Sequence, residues 1–342
     1  MSKHLLINSN SNKMLTVKDT SVNLIITSPP YPMIKMWDDL FCSFNDSIND
    51  DLEHGKGNNA FEKMHKILDD VWNECDRVLK DGGFICINIG DAIRTLSNNF
   101  QLYPNKCRIM NYFSNKGYNS LPGILWKKQS NTPTKFMGSG MLAAGAYITQ
   151  EHEHILIFRK NGKRIFDENE KTFRRKSAYF WEERNMWFSD LWDLKGTNQQ
   201  IKNNNKTRER NASFPFEIPY RLVNMFSIYG DTVLDPFTGL GTTNIACLAS
   251  NRNSIGFDID SEIIKIAQDR IIISKNTINS HIQNRIDKHI DFIESLPKNK
   301  ITKLYTNQHH DFLVKTKQEI EIDIRYLDTV KYSNEEIIGT YK

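Results

Sequence analysis

The chain has 342 residues, of which 39% are hydrophobic and 25% charged, and a formal net charge of +4. That length suffices for one large α/β domain with insertions, or for two domains with a substantial core. No apolar run approaches the roughly eighteen residues of a membrane span, and Met1-Ser2-Lys3-His4 leads into only three apolar residues, so neither a membrane nor an export role is expected; the small net charge names no polyanionic partner by itself.

In chain order, a short strand over Leu5 to Ile7 runs into the Asn- and Ser-rich turn Asn8 to Asn12. The apolar run Val22 to Ile26 reads as a buried strand, closed by Thr27-Ser28-Pro29-Pro30-Tyr31. Two consecutive prolines cannot continue a sheet ladder, so the backbone leaves the strand in a stiff turn with unpaired carbonyls. A serine hydroxyl, a free carbonyl and an aromatic face then meet at the carboxyl end of a strand, where open α/β sheets place their ligands. Such a corner suits a planar, amine-bearing guest: Tyr31 stacks on its face, while Ser28 Oγ and the Pro29 carbonyl accept from its NH2. A rigid turn over a core tyrosine is the plain alternative.

Residues 32–59, rich in Asp, Asn and Gly, read as a mobile loop, either a lid or a surface insertion. From Phe61 to Leu79 apolar residues recur at three- and four-residue steps, predicting a helix with one face on a sheet. Asp81-Gly82-Gly83 is expected to end it. A strand over Phe84 to Ile89, a helix over about 102–115, and strands at Ile124 to Trp126 and His154 to Phe158 follow. Strand and helix alternate, predicting an α/β fold with a mostly parallel sheet covered on both faces. The five cysteines lack CxxC spacing, and Cys75 and Cys86 fall at apolar positions, so reduced thiols in a cytoplasmic protein are expected.

Residues 160–210 carry 13 Lys plus Arg against 8 Asp plus Glu, a local excess above that of the whole chain. Arg174-Arg175-Lys176 lies close to Tyr179-Phe180-Trp181, and basic residues interleaved with aromatics are what a nucleic-acid surface requires. A solvated face over a small satellite core is the alternative. A helix from about Glu217 to Ile228 then leads to Thr232-Val233-Leu234-Asp235-Pro236-Phe237-Thr238-Gly239-Leu240-Gly241-Thr242-Thr243. This reads as a strand, a glycine turn and a helix start capped by Thr242 or Thr243. The glycines let the backbone approach a ligand. A strand over Ser254 to Phe257 ends in Asp258, placed to take the hydroxyls of a ribose.

Asn244 stands where the third glycine of a dinucleotide fingerprint belongs, and no GKS or GKT binds a pyrophosphate. Asp235, directly before the turn, favours a cationic group over a phosphate. S-adenosyl-L-methionine, with its sulfonium and amino group, fits.

With both motifs in view, the chain resembles the DNA amino-methyltransferases, in the permuted β group whose catalytic motif precedes its cofactor motif. In that family the Ser/Asp/Asn-Pro-Pro-Tyr tetrapeptide binds the flipped base and a Phe-x-Gly-x-Gly turn binds S-adenosylmethionine. Ser28 to Tyr31 match the first; Phe237, Gly239 and Gly241 match the second. Arg77 to Lys80 with Gly82-Gly83, Trp126-Lys127-Lys128 with Asn131, Pro133 and Glu151 to His154, and Asp190-Leu191-Trp192 with Ala212-Ser213-Phe214-Pro215 resemble connecting segments of the family. The chain departs from the family pattern at Ser9-Asn10, often Gly-Asp, and at Arg210-Asn211-Ala212, often His-Pro-Ala.

The resemblance implies a Rossmann-like, seven-stranded methyltransferase sheet with a DNA target-recognition insertion. Its parts are a catalytic part (1–158), a target-recognition region (159–211), a cofactor-binding part (212–274) and an extension of unassigned role (275–342). In the extension a helix near Ile278 to Ile293 and strands at Phe312 to Val314 and Ile320 to Tyr326 are predicted. Ser28, Pro29, Pro30 and Tyr31 are the implied catalytic residues. Asn10, Thr27, Phe214, Pro215, Asp235, Pro236, Phe237, Thr238, Gly239, Gly241, Thr242 and Asp258 are the implied cofactor site, with no metal. Lys127, Lys128, Arg174, Arg175 and Lys176 are expected on double-stranded DNA. Serine at the head of the tetrapeptide is more typical of N4-cytosine enzymes, with adenine N6 as the alternative. A bacterial or archaeal cytoplasmic enzyme paired with a restriction endonuclease is expected; monomer and homodimer stay open.

Overall fold

The computed structural model describes residues 1–128, 137–196 and 214–342. Ten strands form its main sheet: β1 (Ser2–Asn8), β2 (Val22–Thr27), β3 (Leu79–Ile89), β4 (Asn119–Lys128), β5 (His152–Arg159), β6 (Leu191–Leu194), β7 (Thr232–Asp235), β8 (Asn253–Asp258), β9 (Leu327–Ser333) and β10 (Glu336–Tyr341). Their order is β6-β4-β5-β3-β2-β7-β8-β1-β10-β9. The run from β3 through β2, β7 and β8 to β1 is parallel, while β5 and β10 pair antiparallel with both neighbours.

The seven strands from β4 to β1 in this order are the expected sheet, and β6 and the hairpin β9–β10 widen it to ten. The hairpin departs from the expectation: residues 320–326, expected as a strand, lie outside any strand, and the pairing begins at Leu327. Its turn is Asn334-Glu335, with φ of 50° and 65°, the left-handed pair that a two-residue hairpin requires.

All six residues of β2 are buried, as expected of a strand covered on both faces. Alternation along the central strands sorts side chains into two cores. Leu24, Ile26, Cys86, Ile157 and Val233 join one core with α7 (Glu217–Phe226), α8 (Thr242–Ala249), α9 (Ser261–Ile272) and α10 (Lys275–Glu294). Ile25, Ile85, Ile87, Phe158 and Leu234 join the other with α3 (Gly57–Val78) and α4 (Asn105–Asn115).

Three local expectations are corrected. Residues 32–59 form a 3-10 turn at Lys35–Trp37 and two helices, α1 (Asp38–Phe44) and α2 (Ser47–Glu53), because Phe41 and Ile48 are buried in the α3-side core. Helix α3 ends at Val78, before Asp81-Gly82-Gly83, and the strand has already begun when Gly82 takes its φ of 75°. Helix α8 is capped by Gly241 at φ 73° with no side-chain cap, so neither threonine serves as one. Among the described residues, no helix is long and apolar enough to cross a membrane.

Candidate functional site

Strands β2 and β7 lie side by side and parallel, with Leu24 opposite Val233 and Ile25 opposite Leu234. Their carboxyl ends therefore emerge at the same edge of the sheet, and segments more than two hundred residues apart in sequence become neighbours. The junction is a hydrogen bond: Thr27 Oγ1 donates to Asp235 Oδ1 at 2.8 Å. Thr243 Oγ1 donates to Oδ2 at 2.6 Å and the Phe237 amide to Oδ1 at 3.1 Å. Asp235 is buried, and burial pushes its carboxyl up to about 6 although these three donors favour the charged form.

Beyond Asp235 the chain turns through Gly239 at φ 49° and Gly241 at φ 73°, conformations that glycine adopts without steric cost. Space around Gly239 is open, whereas a Cβ on Gly241 would come within 3.3 Å of Ala267 and 3.2 Å of Ile271. Asn244, in the place of the third fingerprint glycine, accepts from Thr238 Oγ1 at 2.6 Å and donates to Ser254 Oγ at 2.9 Å, tying the turn to β8. At the end of β8, Asp258 Oδ1 accepts from the Asp260 amide at 2.9 Å.

These strand ends surround a cavity of about 850 Å3. Of the expected residues, it is lined by Ser28 and Pro30 from the proline corner, Asp235 to Gly239 and Thr242 from the glycine turn, and Asn10, Phe214 and Asp258. Thr27 stands behind the wall, bonded to Asp235; Pro29, Tyr31, Pro215 and Gly241 belong to the same corners without lining the cavity. The expected mobile loop supplies Trp37, Phe41 and Phe44 to the wall, and α3 adds Ile67, Leu68 and Val71. The Thr242 hydroxyl is buried without a hydrogen-bond partner. The carboxylates that line the cavity, Asp235 and Asp258, suit a cationic group and hydroxyl donors, so the lining fits a nucleoside-bearing cation.

Next to the cavity, Ser28 Oγ lies 3.1 Å from the Tyr31 hydroxyl, which donates to Glu153 Oε2 at 2.8 Å. Asn88 Nδ2 reaches both the Tyr31 oxygen, at 2.8 Å, and Glu153 Oε2, at 2.6 Å, and Lys128 forms an ion pair with Glu153 Oε1. Burial pushes the Tyr31 phenol well up, and the Glu153 carboxylate adds to the shift. Sequence reasoning assigns no role to Asn88 or Glu153: 65 residues separate them, and Glu151 to His154 stand out only as a segment that resembles a connection of the family.

Of the basic residues expected on DNA, Lys128 is engaged with Glu153. Arg174, Arg175 and Lys176 end helix α5 (Glu168–Lys176). Arg175 pairs with Glu321 at 2.8 Å, Lys176 lies 4.0 Å from Asp323, and Arg174 stacks over the Phe166 ring at 4.6 Å. Lys127 is exposed. Asn131, Pro133 and residues 210–213 lie outside the described residues.

A family model described as DNA methylase, covering the N6 and N4 methyltransferases, matches residues 22–269. The type II methyltransferase M.MthZI of Methanothermobacter thermautotrophicus is 49% identical over 96% of this chain and 92% of its own. M.MjaI of Methanocaldococcus jannaschii is 45% identical over 85% and 96%. Among solved structures, TTHA0409 from Thermus thermophilus, assigned as a DNA modification methylase and solved with S-adenosyl-L-methionine, superposes with a TM-score of 0.60 at 29% identity, covering 78% of this chain and 93% of that one. The matched span contains both the proline corner and the aspartate-glycine corner, and the chain belongs to the N6/N4 methyltransferase family of DNA methylases.

Proposed function

We propose that this DNA methyltransferase uses S-adenosyl-L-methionine to methylate the exocyclic N4 of a cytosine flipped out of double-stranded DNA, and that it protects sites also cut by a partner endonuclease. The observation that carries the reading is Ser28, a neutral hydroxyl at the head of the Pro-Pro turn, facing the same cavity as Asp235 and Asp258. When bound, the cofactor supplies an electrophilic methyl on a sulfonium. The ionised Asp235 carboxylate favours a cation in the cavity, and Asp258 is suited to ribose hydroxyls.

Ser28 Oγ and the Pro29 carbonyl accept from the two hydrogens of the target NH2. They draw its lone pair out of conjugation with the ring and aim it into the cavity. Tyr31 stacks on the extruded base. Cytosine has the more basic ring nitrogen of the two amino-bases considered, so a serine suffices where a carboxylate otherwise helps. Trp37, Phe41 and Phe44 keep bulk water from the reacting atoms, and orientation with desolvation supplies most of the rate. None of the five cysteines lines the cavity, which is incompatible with the thiolate chemistry of carbon-5 methylation. Exposed Lys127 and Arg174 are the basic side chains best suited to backbone phosphates, with Arg175 and Lys176 beside them.

The test is enzymatic digestion of methylated DNA to nucleosides, followed by mass spectrometry against standards. N4-methylcytosine is the expected product. N6-methyladenine would move the reaction to the other amine, and unmodified DNA would overturn the reading.

A further inference from the structure

Tyr31, Asn88, Glu153 and Lys128 form a connected polar cluster beside Ser28, and counting its hydrogens fixes more than its distances do. A tyrosine hydroxyl has one hydrogen and two acceptor lone pairs. Here the hydrogen goes to Glu153 Oε2 at 2.8 Å, and Asn88 Nδ2 donates to the phenol oxygen at 2.8 Å. With its single hydrogen committed to a carboxylate, the phenol can meet Ser28 Oγ, 3.1 Å away, only as an acceptor. Ser28 therefore gives its own hydrogen to Tyr31, and the Ser28 lone pairs are what remains for the cavity.

The rest of the cluster enforces this direction. Asn88 also donates to Glu153 Oε2, at 2.6 Å; the reversed amide would set its oxygen against a carboxylate. Lys128 holds the other carboxylate oxygen. The Glu153 side chain is only 12% exposed, so water competes little for these bonds. A serine free to rotate would offer the target amine its hydrogen part of the time, and an NH2 group meeting a donor is repelled.

We propose that Glu153 is a positioning residue for methyl transfer: acting through the Tyr31 hydroxyl, it holds Ser28 as a hydrogen-bond acceptor for the target amine. The inference rests on the reading of Ser28 as the acceptor of that amine. Lys128 then serves the site by anchoring Glu153.

A double-mutant cycle under single-turnover conditions tests it, with labelled cofactor and duplex DNA both saturating. Glu153→Gln keeps the size of the side chain and removes the charge that orders the cluster. Tyr31→Phe keeps the ring and removes only the hydroxyl. Each single variant is expected to slow methyl transfer about tenfold or more while cofactor affinity, by titration, stays within about twofold of wild type. The double variant is expected to be no slower than the slower single, because both break one chain. Multiplying losses, a loss confined to cofactor affinity, or a wild-type rate in either single variant would overturn the inference. Should Glu153→Gln not fold, Lys128→Met, which removes the ion pair that anchors Glu153, takes its place in the cycle with the same outcomes. Wild-type enzyme that leaves DNA unmethylated would overturn the reading of Ser28 as well, whereas active wild type with multiplying losses overturns this inference only.

Discussion

Asp235 carries a charge that its surroundings disfavour. Burial raises its carboxyl to about 6 from an ordinary 3.8, against the pull of Thr243, Thr27 and the Phe237 amide. A raised acid binds its proton more tightly in the folded chain than in the unfolded one. Folding stability from this group therefore falls as pH rises between 3.8 and about 6, and a bound cation offsets that cost. If Asp235 faces the cofactor's cation as proposed, cofactor binding has the opposite slope, since it needs the ionised form. Affinity measured by calorimetry should be level above about pH 7 and fall about tenfold per pH unit below 6, while Asp235→Asn should bind weakly and without that slope. Equal wild-type affinity at about pH 5 and pH 7 would contradict the assignment. The placement of Asp235 at the cavity is legible from its position before a glycine turn; its bond to Thr27 is not, because that depends on two strands meeting across the fold.

At the scale of elements, the basic stretch reads in sequence as a solvent-facing surface, and the fold gives it a second use. Helix α5 lies against the segment that follows α10, through Arg175 with Glu321 and Lys176 near Asp323. Helix α6 (Trp181–Trp187) is bound to α10 by Arg285, which meets Glu183 at 2.6 and 2.8 Å, and by His289, which meets Glu182 at 2.7 Å. Phe180 stacks on His289 at 3.7 Å. Residues 285–323 are thus the support on which α5 and α6 sit. Arg285 and Glu183 are each only 11% exposed, so removing one partner strands a buried charge. Arg285→Ala should cost about 3–5 kcal/mol in urea unfolding, and a loss below about 1 kcal/mol would show the pair to be screened by solvent. None of these partnerships is readable beforehand, because the sequence around 182–183 and 285–289 shows only charged residues on helical faces. The stretch 32–59 misleads for a related reason: its many Asp and Asn residues hide the few apolar anchors, Phe41 and Ile48, that order it.

At the scale of the molecule, the two motifs are legible because each is a short strand with an apolar centre closed by residues with strong backbone restrictions, Pro29-Pro30 in one and Gly239 with Gly241 in the other. Their meeting is implied only by resemblance, and it is the parallel pairing of β2 with β7 that brings it about. The hairpin β9–β10 escapes notice since Asp328, Thr329 and Lys331 break up its apolar pattern and its Asn334-Glu335 turn has no glycine. The most direct measurement is a crystal structure of the chain with a cofactor analogue bearing an amine in place of the methylsulfonium. The predicted result is the analogue in the shared cavity, its ribose on Asp258 and its amine directed at Ser28. Density elsewhere, or an amine turned away from the proline corner, would contradict a single cleft joining cofactor and base.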